Sequence, residues 1–461
     1  MADFSNYMSP GRKAYLIGIG GVSMSSLAEV LLGMGIHVCG SDSNHSPNVI
    51  SLEAKGIHVE IGHRTENIPA DTDFVVRTAA VRDENPEIVR AKEMHIPVFE
   101  RTEAWGAISR DYGNALCISG THGKTTTTSM CTHILMAADR DPTVMIGGTL
   151  PLLNAGHRVG HGNVIVMEAC EYYNSFLSFY PTIAVILNIE ADHLDFFRDL
   201  NDVENSFREF AARVPQDGYV IANYDDLNTM QTLLGLDRKI VTFGLDRRAD
   251  VHAEKIEFLG ANSHFNIIYR GRRFTDVTLH VPGTHNVKNA LAATAAAICL
   301  GIRPHAVKYG LAGFNGAGRR FEFKGKFNGA DVYDDYAHHP GELKALLDTV
   351  ETLNYRRTVL VFQPHTYTRT AALFNDFVEQ LKRPDELVLA EIYAAREQNT
   401  IGISSKALAD QVENAHFFPT FEELEAALRE NAEPGDIILT VGAGDVYKIG
   451  ESLVAEAEQG T

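Results

Sequence analysis

The chain has 461 residues, 45% of them apolar and 22% charged, which predicts a globular protein of about three domains, at roughly 100 to 200 residues each, and excludes a disordered chain. Its 41 basic and 60 acidic residues give a net charge of −19, which argues against a nucleic-acid partner because such binding requires a basic surface. The cysteines form no CxxC pair, the N-terminal segment lacks the apolar core of a signal peptide, and the longest apolar run is too short to span a bilayer, so we expect a cytoplasmic protein without a membrane contact. Our separate expectation for the oligomeric state is a monomer or a weak homodimer.

A βαβ pattern opens the chain, and alternation of short apolar runs with helix-like stretches continues from Lys13 to about Trp105. The glycine loop GIGGVS resembles the dinucleotide fingerprint GxGxxG but has Ser23 in place of the third glycine. Asp42 ends the second predicted strand, where an acidic residue can bind a ribose hydroxyl. A tight turn without a ligand is the alternative, but we favour a bound nucleotide. The predicted substrate-binding residues here are Gly18, Gly20, Gly21, Asp42 and Thr78.

The segment GTHGKTTTT lies between an apolar strand and a helical stretch, so it predicts the start of a second domain. In that setting backbone amides cradle phosphates, and the helix N-terminus adds positive potential. We expect Lys124 to neutralise the β and γ phosphates and Thr125 to bind Mg²⁺. Ile118 stands where the full Walker pattern has a glycine, so the match is to the shorter loop GxxGKT, and a threonine-rich helix start is the alternative. The predicted phosphate-loop residues are Gly120, Thr121, His122, Gly123, Lys124, Thr125 and Thr126.

Two later apolar runs, NVIVMEAC and TIAVILNI, predict parallel strands that end in polar residues. Glu168 ends the first and His193 follows the second, and both are suitable ligands for the metal ion that a nucleoside triphosphate needs. Alone, each is more typical of a solvated strand end or a loop, but together with the phosphate loop they favour a metal site. The turn-rich stretch 244–281 predicts a small antiparallel excursion within the same domain.

A third α/β block begins near Arg320, because ADVYDDYA, RTVLVFQP, ELVLAEIY and DIILTVGAG each predict a buried strand. The segments DDYAHHP and FQPHTYTRT place His338, His339, His365 and Arg369 just after such strands. Arginine binds carboxylates through paired hydrogen bonds, and histidines at these positions are candidates for acid–base work or for holding anions. Some of the histidines can instead satisfy local backbone groups, and the sequence leaves that choice open.

In their order along the chain, GTHGKTTTT, NIEADHLDF, PGTHNVKNALAA, GAGRRFE, DDYAHHP and FQPHTYTRT resemble the motifs of the Mur ligases. With GIGGVSMS the resemblance covers nearly the whole chain. It implies an α/β fold of three domains. They are an N-terminal Rossmann-like domain for the UDP part of the substrate (1–110), a central ATP-binding domain of P-loop type (111–317) and a C-terminal Rossmann-like domain that closes on ATP and binds the amino acid (318–461).

The resemblance also implies roles for individual residues. Asn289 matches an adenine-binding asparagine, with His285 nearby. Arg320 and Asp335 match residues that reach the ATP from the C-terminal domain, the aspartate on its ribose. The resemblance implies that three residues contact the incoming amino acid and the reacting carboxylate, namely His338, His365 and Arg369. The predicted catalytic residues are Lys124, Glu168, His193 and His338, and the predicted metal ligands are Thr125, Glu168 and His193.

Two details of the sequence bear on this resemblance. The motif that usually reads EADE is EACE here, with Cys170 in place of aspartate, which leaves the local hydrogen bonding open while Glu168 and Glu171 are kept. Related ligases that add later amino acids use a carbamylated lysine beside the second metal, and residues 200–218 contain no lysine. This absence agrees with the alanine-adding branch of the family.

The implied activity is the ATP- and Mg²⁺-dependent joining of L-alanine to UDP-N-acetylmuramate through an acyl phosphate, in peptidoglycan precursor synthesis. His338 is the predicted base for the alanine amine. A ligase that recycles a tripeptide onto the same nucleotide sugar is the nearest alternative, and the DDYAHHP and FQPHTYTRT pair argues against it. A nicotinamide-dependent oxidoreductase would leave Lys124, Glu168 and His193 unexplained. A non-catalytic nucleotide-binding regulator would be excluded by phosphate release from ATP that requires both co-substrates.

Overall fold

The N-terminal part of the chain is a parallel sheet with helices on both faces. The computed structural model of the protein describes residues 3–78, 80–395 and 397–459. The first elements are β1 (Lys13–Ile17), α1 (Val22–Gly33), β2 (His37–Asp42), α2 (Pro47–Ala54), β3 (His58–Ile61), β4 (Phe74–Arg77), α3 (Pro86–Glu93), β5 (Val98–Glu100) and α4 (Arg101–Arg110). All strand pairs are parallel, in the order β3-β2-β1-β4-β5. The order reverses beside β1, so the glycine loop that follows β1 lies at the crevice where such sheets bind nucleotides.

The central part is built on a ten-stranded sheet. Its elements are β6 (Asn114–Ser119), α5 (Lys124–Ala137), β7 (Thr143–Leu150), β8 (Ala155–Arg158), β9 (Val164–Glu168), β10 (Ile183–Ile186), α6 (Leu200–Ala212), β11 (Tyr219–Asn223), α7 (Leu227–Thr232), β12 (Lys239–Gly244), β13 (Val251–Leu259), β14 (Asn262–Tyr269), β15 (Arg272–Leu279), α8 (Thr284–Cys299) and α9 (Pro304–Ala312). The order is β15-β14-β13-β12-β11-β10-β6-β9-β7-β8. Strands β13 to β15 pair antiparallel. They form the small antiparallel region that the turn-rich sequence 244–281 predicts.

The C-terminal part is a six-stranded sheet in the order β16-β17-β21-β18-β19-β20, parallel except for the β16–β17 pair. Its elements are β16 (Glu322–Phe327), β17 (Ala330–Asp335), α10 (Pro340–Glu351), β18 (Arg357–Phe362), α11 (Tyr367–Ala372), α12 (Phe374–Leu381), β19 (Glu386–Leu389), α13 (Ser405–Ala409), β20 (Ala415–Phe417), α14 (Phe421–Asn431), β21 (Asp436–Val441) and α15 (Tyr447–Gln459). The predicted α/β fold with three domains is therefore confirmed.

The hydrophobic cores are not divided equally among the three sheets. One continuous cluster runs from the N-terminal sheet through α4 into the central sheet, and Trp105 on α4 is fully buried within it. In the described part of the chain, no hydrophobic cluster joins the C-terminal sheet to the other two. The predicted boundaries near residues 110 and 317 lie between the sheets and stay predictions. Among the described residues, no helix combines the length and apolar character needed to cross a membrane.

Candidate active site

The loop between β6 and α5 has the backbone geometry of a phosphate cradle. Gly120 and Gly123 have φ angles of 137° and 85°, a region that side chains with a Cβ rarely occupy. A Cβ on Gly123 would lie 2.7 Å from Asn289 Oδ1, so the loop also needs glycine for space. Helix α5 begins at Lys124 directly after the loop, and its N-terminal amides and dipole favour an anion there.

Lys124 is held at this loop by the carboxylate of Glu171, in the segment that follows the neighbouring strand β9. Its Nζ lies 2.5 Å from Gly120 O, 3.1 Å from Thr121 O and 3.0 Å from Glu171 Oε2. Burial alone would lower the pKa of Lys124, but the nearby charge of Glu171 outweighs it and raises the pKa. The lysine is therefore cationic, and the side chain of Glu171 is almost fully buried against it.

The three predicted metal ligands are divided between two neighbouring places. Thr125 Oγ1 donates to Glu168 Oε2 at 3.0 Å, and the same carboxylate oxygen accepts from Gly147 N at 2.8 Å. His193 lies instead beside Glu171, with its Nε2 3.8 Å from Glu171 Oε1. Burial lowers the pKa of His193, and the neutral imidazole that results is the form that binds metals.

A second group of side chains that could bind a metal lies at a contact between the central and C-terminal sheets. His122, Glu190 and His339 offer ligand atoms within 4.8 Å of one another. His122 Nε2 lies 3.3 Å from Glu190 Oε2, and its Nδ1 lies 3.2 Å from Glu342 Oε1. Burial lowers the pKa of His122, but the carboxylates of Glu190 and Glu342 outweigh burial and raise the pKa to about 10. In the protonated form of His122 the cluster is an ion-pair contact between the central and C-terminal sheets.

A cavity of about 240 Å³ lies between the central and C-terminal sheets, next to the phosphate loop. It brings together the predicted nucleotide residues from both sides. They are His122, Gly123, Thr126, His285, Asn289, Arg320 and Asp335. Asp335 accepts backbone hydrogen bonds from Phe321 N at 2.7 Å and Ala337 N at 2.8 Å, and burial raises its pKa to about 6. The aromatic residues Phe243 and Phe314 also line this cavity.

Asn188, which the sequence analysis did not select, fixes the conformation of the phosphate loop. Its Oδ1 accepts from His122 N at 2.8 Å, and its Nδ2 donates to His122 O at 3.1 Å. Thr121 N donates to the backbone oxygen of Asn188 at 3.1 Å, and Thr121 Oγ1 accepts from Glu190 N at 2.9 Å. Asn188 lies in the same NIEADH segment as His193, at the end of a buried strand. That position is the sequence feature from which a role for Asn188 in the site could have been predicted.

The C-terminal sheet contributes a cluster of His338, His365 and Arg369. Arg369 Nε and Nη2 donate to Asp192 Oδ1 at 3.1 and 3.0 Å, and Arg369 Nη1 lies 3.3 Å from His365 Nδ1. The ring centroids of His338 and His365 are 5.7 Å apart. Burial lowers the pKa of His338 to about 4 and that of His365 to about 3. Both histidines are therefore neutral at pH 7.

The orientation of His338 leaves one ring nitrogen available. Its Nδ1 lies 2.9 Å from Tyr336 O, and because a carbonyl only accepts hydrogen bonds, Nδ1 carries the proton. The lone pair is then on Nε2. A second cavity of about 150 Å³ lies beside this cluster and is lined by Asp192, His193 and Arg369 together with Ala372 and Leu373.

The predicted substrate residues of the N-terminal sheet also come together. Gly18 has a φ angle of 77°, and a Cβ there would lie 2.8 Å from Thr78 Cγ2. Gly20 N donates to Asp42 Oδ2 at 2.9 Å, so the carboxylate of Asp42 braces the glycine loop. Gly21 is the N-cap of α1. The loop and the helix N-terminus behind it form a second anion-binding arrangement, separate from the phosphate loop.

Protein-family models match most of the chain. The Mur ligase family catalytic domain matches residues 13–112, the Mur ligase middle domain matches residues 118–297, and the Mur ligase glutamate ligase domain matches residues 319–444. Each match contains one of the three sheets almost completely.

Similar proteins are known over the full length. The UDP-N-acetylmuramate–L-alanine ligase of Agathobacter rectalis is 48% identical over 445 residues, which cover 95% of this chain and 97% of that protein. The enzyme of the same name from Clostridium novyi is 46% identical over 447 residues, covering 96% and 97%. The crystal structure of the UDP-N-acetylmuramate-alanine ligase of Thermotoga maritima is 30% identical with a TM-score of 0.82, covering 97% of this chain and 100% of that one.

Proposed function

The chain belongs to the Mur ligase family, and from that premise we propose that it joins L-alanine to UDP-N-acetylmuramate while ATP is converted to ADP and phosphate. The product is UDP-N-acetylmuramoyl-L-alanine, a precursor in peptidoglycan synthesis. The relatives that carry this name are 43–48% identical over nearly the whole chain, which favours this activity over tripeptide recycling.

One observation of the site carries the proposal. Two consecutive residues, Asp192 and His193, face opposite halves of the site. His193 contacts Glu171, which holds Lys124 at the phosphate loop, whereas Asp192 holds Arg369 of the C-terminal cluster. A phosphoryl-transfer site and an amine-binding site that share adjacent residues suit a reaction in which an activated acyl group passes directly to an amine.

The reaction has two steps, because a carboxylate does not condense with an amine unaided in water. In the first step an oxygen of the substrate carboxylate attacks the γ phosphorus of ATP, the bond to the β–γ bridging oxygen breaks, and ADP leaves with that electron pair. Lys124 is placed to stabilise the charge that develops on the phosphate oxygens. In the second step the amine of L-alanine attacks the acyl carbon, and phosphate departs.

The residues of the loop fit a magnesium ion as well as a triphosphate. A hydroxyl and a carboxylate, Thr125 and Glu168, lie in contact at the N-terminus of α5, and this is the hard oxygen donor set that Mg²⁺ prefers. We infer that these two residues hold the ion and that His193 assists from the Glu171 side. Bound there, Mg²⁺ would neutralise phosphate charge.

We propose that ATP occupies the cavity between the central and C-terminal sheets. In this proposal Asn289 and His285 hold the adenine, Asp335 accepts from the ribose hydroxyls, and Arg320 faces the phosphates. Both oxygens of Asp335 already accept a backbone hydrogen bond, which fixes the carboxylate while each oxygen keeps a further lone pair. The UDP group of the other substrate occupies the glycine loop of the N-terminal sheet.

We propose that L-alanine occupies the cavity beside Arg369. The Nε and Nη2 edge of that guanidinium is already used by Asp192, so the carboxylate of the amino acid would bind at Nη1, whose second hydrogen is not used by His365. His338 accepts the amine proton on Nε2. Its low pKa makes it a weak base, which fits an amine that loses its proton late, as the bond to the acyl carbon forms.

The test is phosphate release from ATP with UDP-N-acetylmuramate and each proteinogenic amino acid in turn, and with the tripeptide in a parallel reaction. We expect release with L-alanine that requires both co-substrates and Mg²⁺. Release with the tripeptide alone would assign the chain to recycling, and release that is independent of any amino acid would contradict ligation.

A further inference from the structure

The guanidinium of Arg101 is partly buried and has no partner among the residues that the structure describes. Arg101 is the first residue of α4. Among the described residues, its side chain makes no hydrogen bond, ion pair or aromatic contact. The adjacent carboxylate of Glu100 is already paired with Arg77, at 2.8 Å. Burial lowers the pKa of Arg101, but an arginine stays cationic at any physiological pH.

Such an arginine is unusual in this chain. In the described part of the chain, the other arginines without any side-chain contact are exposed to solvent, namely Arg82, Arg140, Arg272 and Arg303. Arg320 also lacks an ion pair within the described ranges, but it stacks on Tyr336 and lines the nucleotide cavity. Because removing an unpaired charge from water is costly, a partly buried guanidinium without a partner indicates an anion that binds from outside the chain.

The position of α4 defines where that anion would lie. Trp105 Nε1, one turn further along α4, lies 3.4 Å from Ser23 O beside the glycine loop. The backbone at Gly106 packs directly on Ser178 O, at the end of the segment that follows Glu171. Cys170, which adjoins Glu171, the partner of Lys124, lies near enough to Arg101 that a charge on its sulfur would raise the pKa of the arginine. Arg101 therefore lies between the glycine loop and the phosphate loop.

We propose that Arg101 is a substrate-binding residue that pairs with an oxyanion of the sugar-nucleotide acid, held between the glycine loop and Lys124. The inference rests on the proposed function, because that substrate has two anionic groups along this path. One is the diphosphate, which belongs at the N-terminus of α1, and the other is the carboxylate that reacts beside Lys124. Arginine suits either group, since its planar fork matches both phosphate and carboxylate.

The experiment is calorimetric titration of the full-length protein with UDP, UDP-N-acetylglucosamine and UDP-N-acetylmuramate. The last ligand alone has the carboxylate. The variants are Arg101→Gln, Arg101→Lys and, as matched control, Arg140→Gln, which removes the same positive charge from an exposed position. If the diphosphate is the partner, Arg101→Gln weakens all three ligands by about tenfold to a hundredfold. If the carboxylate is the partner, only UDP-N-acetylmuramate binding weakens by that factor, and Arg101→Lys recovers part of the loss.

Binding of ATP to Arg101→Gln, measured in the same way, shows that the variant is folded, because the residues that line the nucleotide cavity belong to the central and C-terminal sheets. Unchanged affinity for all three ligands in Arg101→Gln, relative to Arg140→Gln, would overturn the proposal. Wild-type protein that binds UDP-N-acetylmuramate but releases no phosphate with L-alanine would contradict the proposed function and leave the Arg101 measurement intact.

Discussion

At the scale of single residues, the charge of the phosphate site depends on carboxylates outside the phosphate loop. Glu171 keeps Lys124 cationic, and Glu168 contacts Thr125. Cys170 lies between them in the sequence. Burial raises the pKa of this thiol to about 11, so it is neutral at pH 7. It therefore adds no negative charge beside Lys124, and the charge there comes from the two neighbouring glutamates.

We predict that Glu168→Gln and His193→Ala each raise the Mg²⁺ concentration needed for half-maximal rate. Each change removes a proposed ligand from a cation that offsets phosphate charge. A magnesium titration of phosphate release at saturating substrates measures the shift, which we expect to be about tenfold or more for a lost ligand, equivalent to about 1.4 kcal/mol.

Glu209→Gln is the matched control, because Glu209 is exposed on α6. Both variants should bind UDP-N-acetylmuramate like the wild type, since we propose that its UDP group binds on the N-terminal sheet. A magnesium requirement equal to that of the control in both variants would show that neither residue is a ligand.

At the scale of elements, two loops that follow neighbouring strands form one unit. Strands β6 and β10 are adjacent and parallel, so the chain segments that follow them leave the sheet side by side. Asn188 after β10 bonds both the amide and the carbonyl of His122 after β6. The conformation of the phosphate loop is therefore fixed by a side chain from another loop as well as by its own glycines.

We predict that Asn188→Ala lowers kcat/KM for ATP by about fivefold to a hundredfold, because two hydrogen bonds that hold the loop are lost, at about 1 kcal/mol each. Asn188→Asp keeps the acceptor for the His122 amide but loses the donor, so its defect should be smaller. Steady-state kinetics with varied ATP make the comparison. If Asn188→Ala changes the kinetics for L-alanine and not those for ATP, the loop is not what Asn188 supports.

At the scale of the whole molecule, the N-terminal and central sheets share a hydrophobic core, whereas polar contacts attach the C-terminal sheet. These contacts include Arg369 with Asp192 and His122 with Glu342. A surface held by ion pairs opens more readily than one held by apolar packing. The C-terminal domain is therefore the part expected to move when substrates enter and products leave.

We predict that Glu342→Gln shifts the protein toward an open form, because the cationic His122 loses a buried counter-charge, at a cost of about 2 to 5 kcal/mol. Small-angle scattering should give a larger radius of gyration than for the wild type. Glu430→Gln is the control, because Glu430 is an exposed glutamate on α14 of the same domain. An unchanged radius together with an unchanged KM for ATP would contradict a closing role for Glu342.

The pH dependence of closure has a definite sign. The pKa of His122 is raised to about 10 from its ordinary value of 6.5, so its contribution is fully present below pH 6.5 and is lost as the pH rises through about 10. The pKa of Glu342 is lowered from 4.5, so its contribution is lost only in acid. Wild-type scattering should therefore show opening between pH 7 and pH 10, and this trend should be weaker in Glu342→Gln.

The sequence by itself determined the features that depend on local backbone chemistry. Glycine spacing indicated both anion-binding loops, because Gly18, Gly120 and Gly123 adopt positive φ angles that residues with a Cβ rarely adopt. Short continuous apolar runs, separated by helix-like stretches, predicted the strands, because a strand covered on both faces is apolar along its whole length. The order of the motifs was sufficient to indicate the Mur ligase family and its three domains.

Only the tertiary structure decided which side chains pair across the site. Arg369 and Asp192 are 177 residues apart, and Lys124 and Glu171 are 47 residues apart. No local pattern encodes such a pair, because its geometry results from how strands and domains pack. For the same reason the sequence predicted that Arg369 binds a substrate carboxylate, whereas in the folded protein one edge of its guanidinium already binds Asp192. The sequence also did not indicate that Arg101 would lack a partner among the described residues.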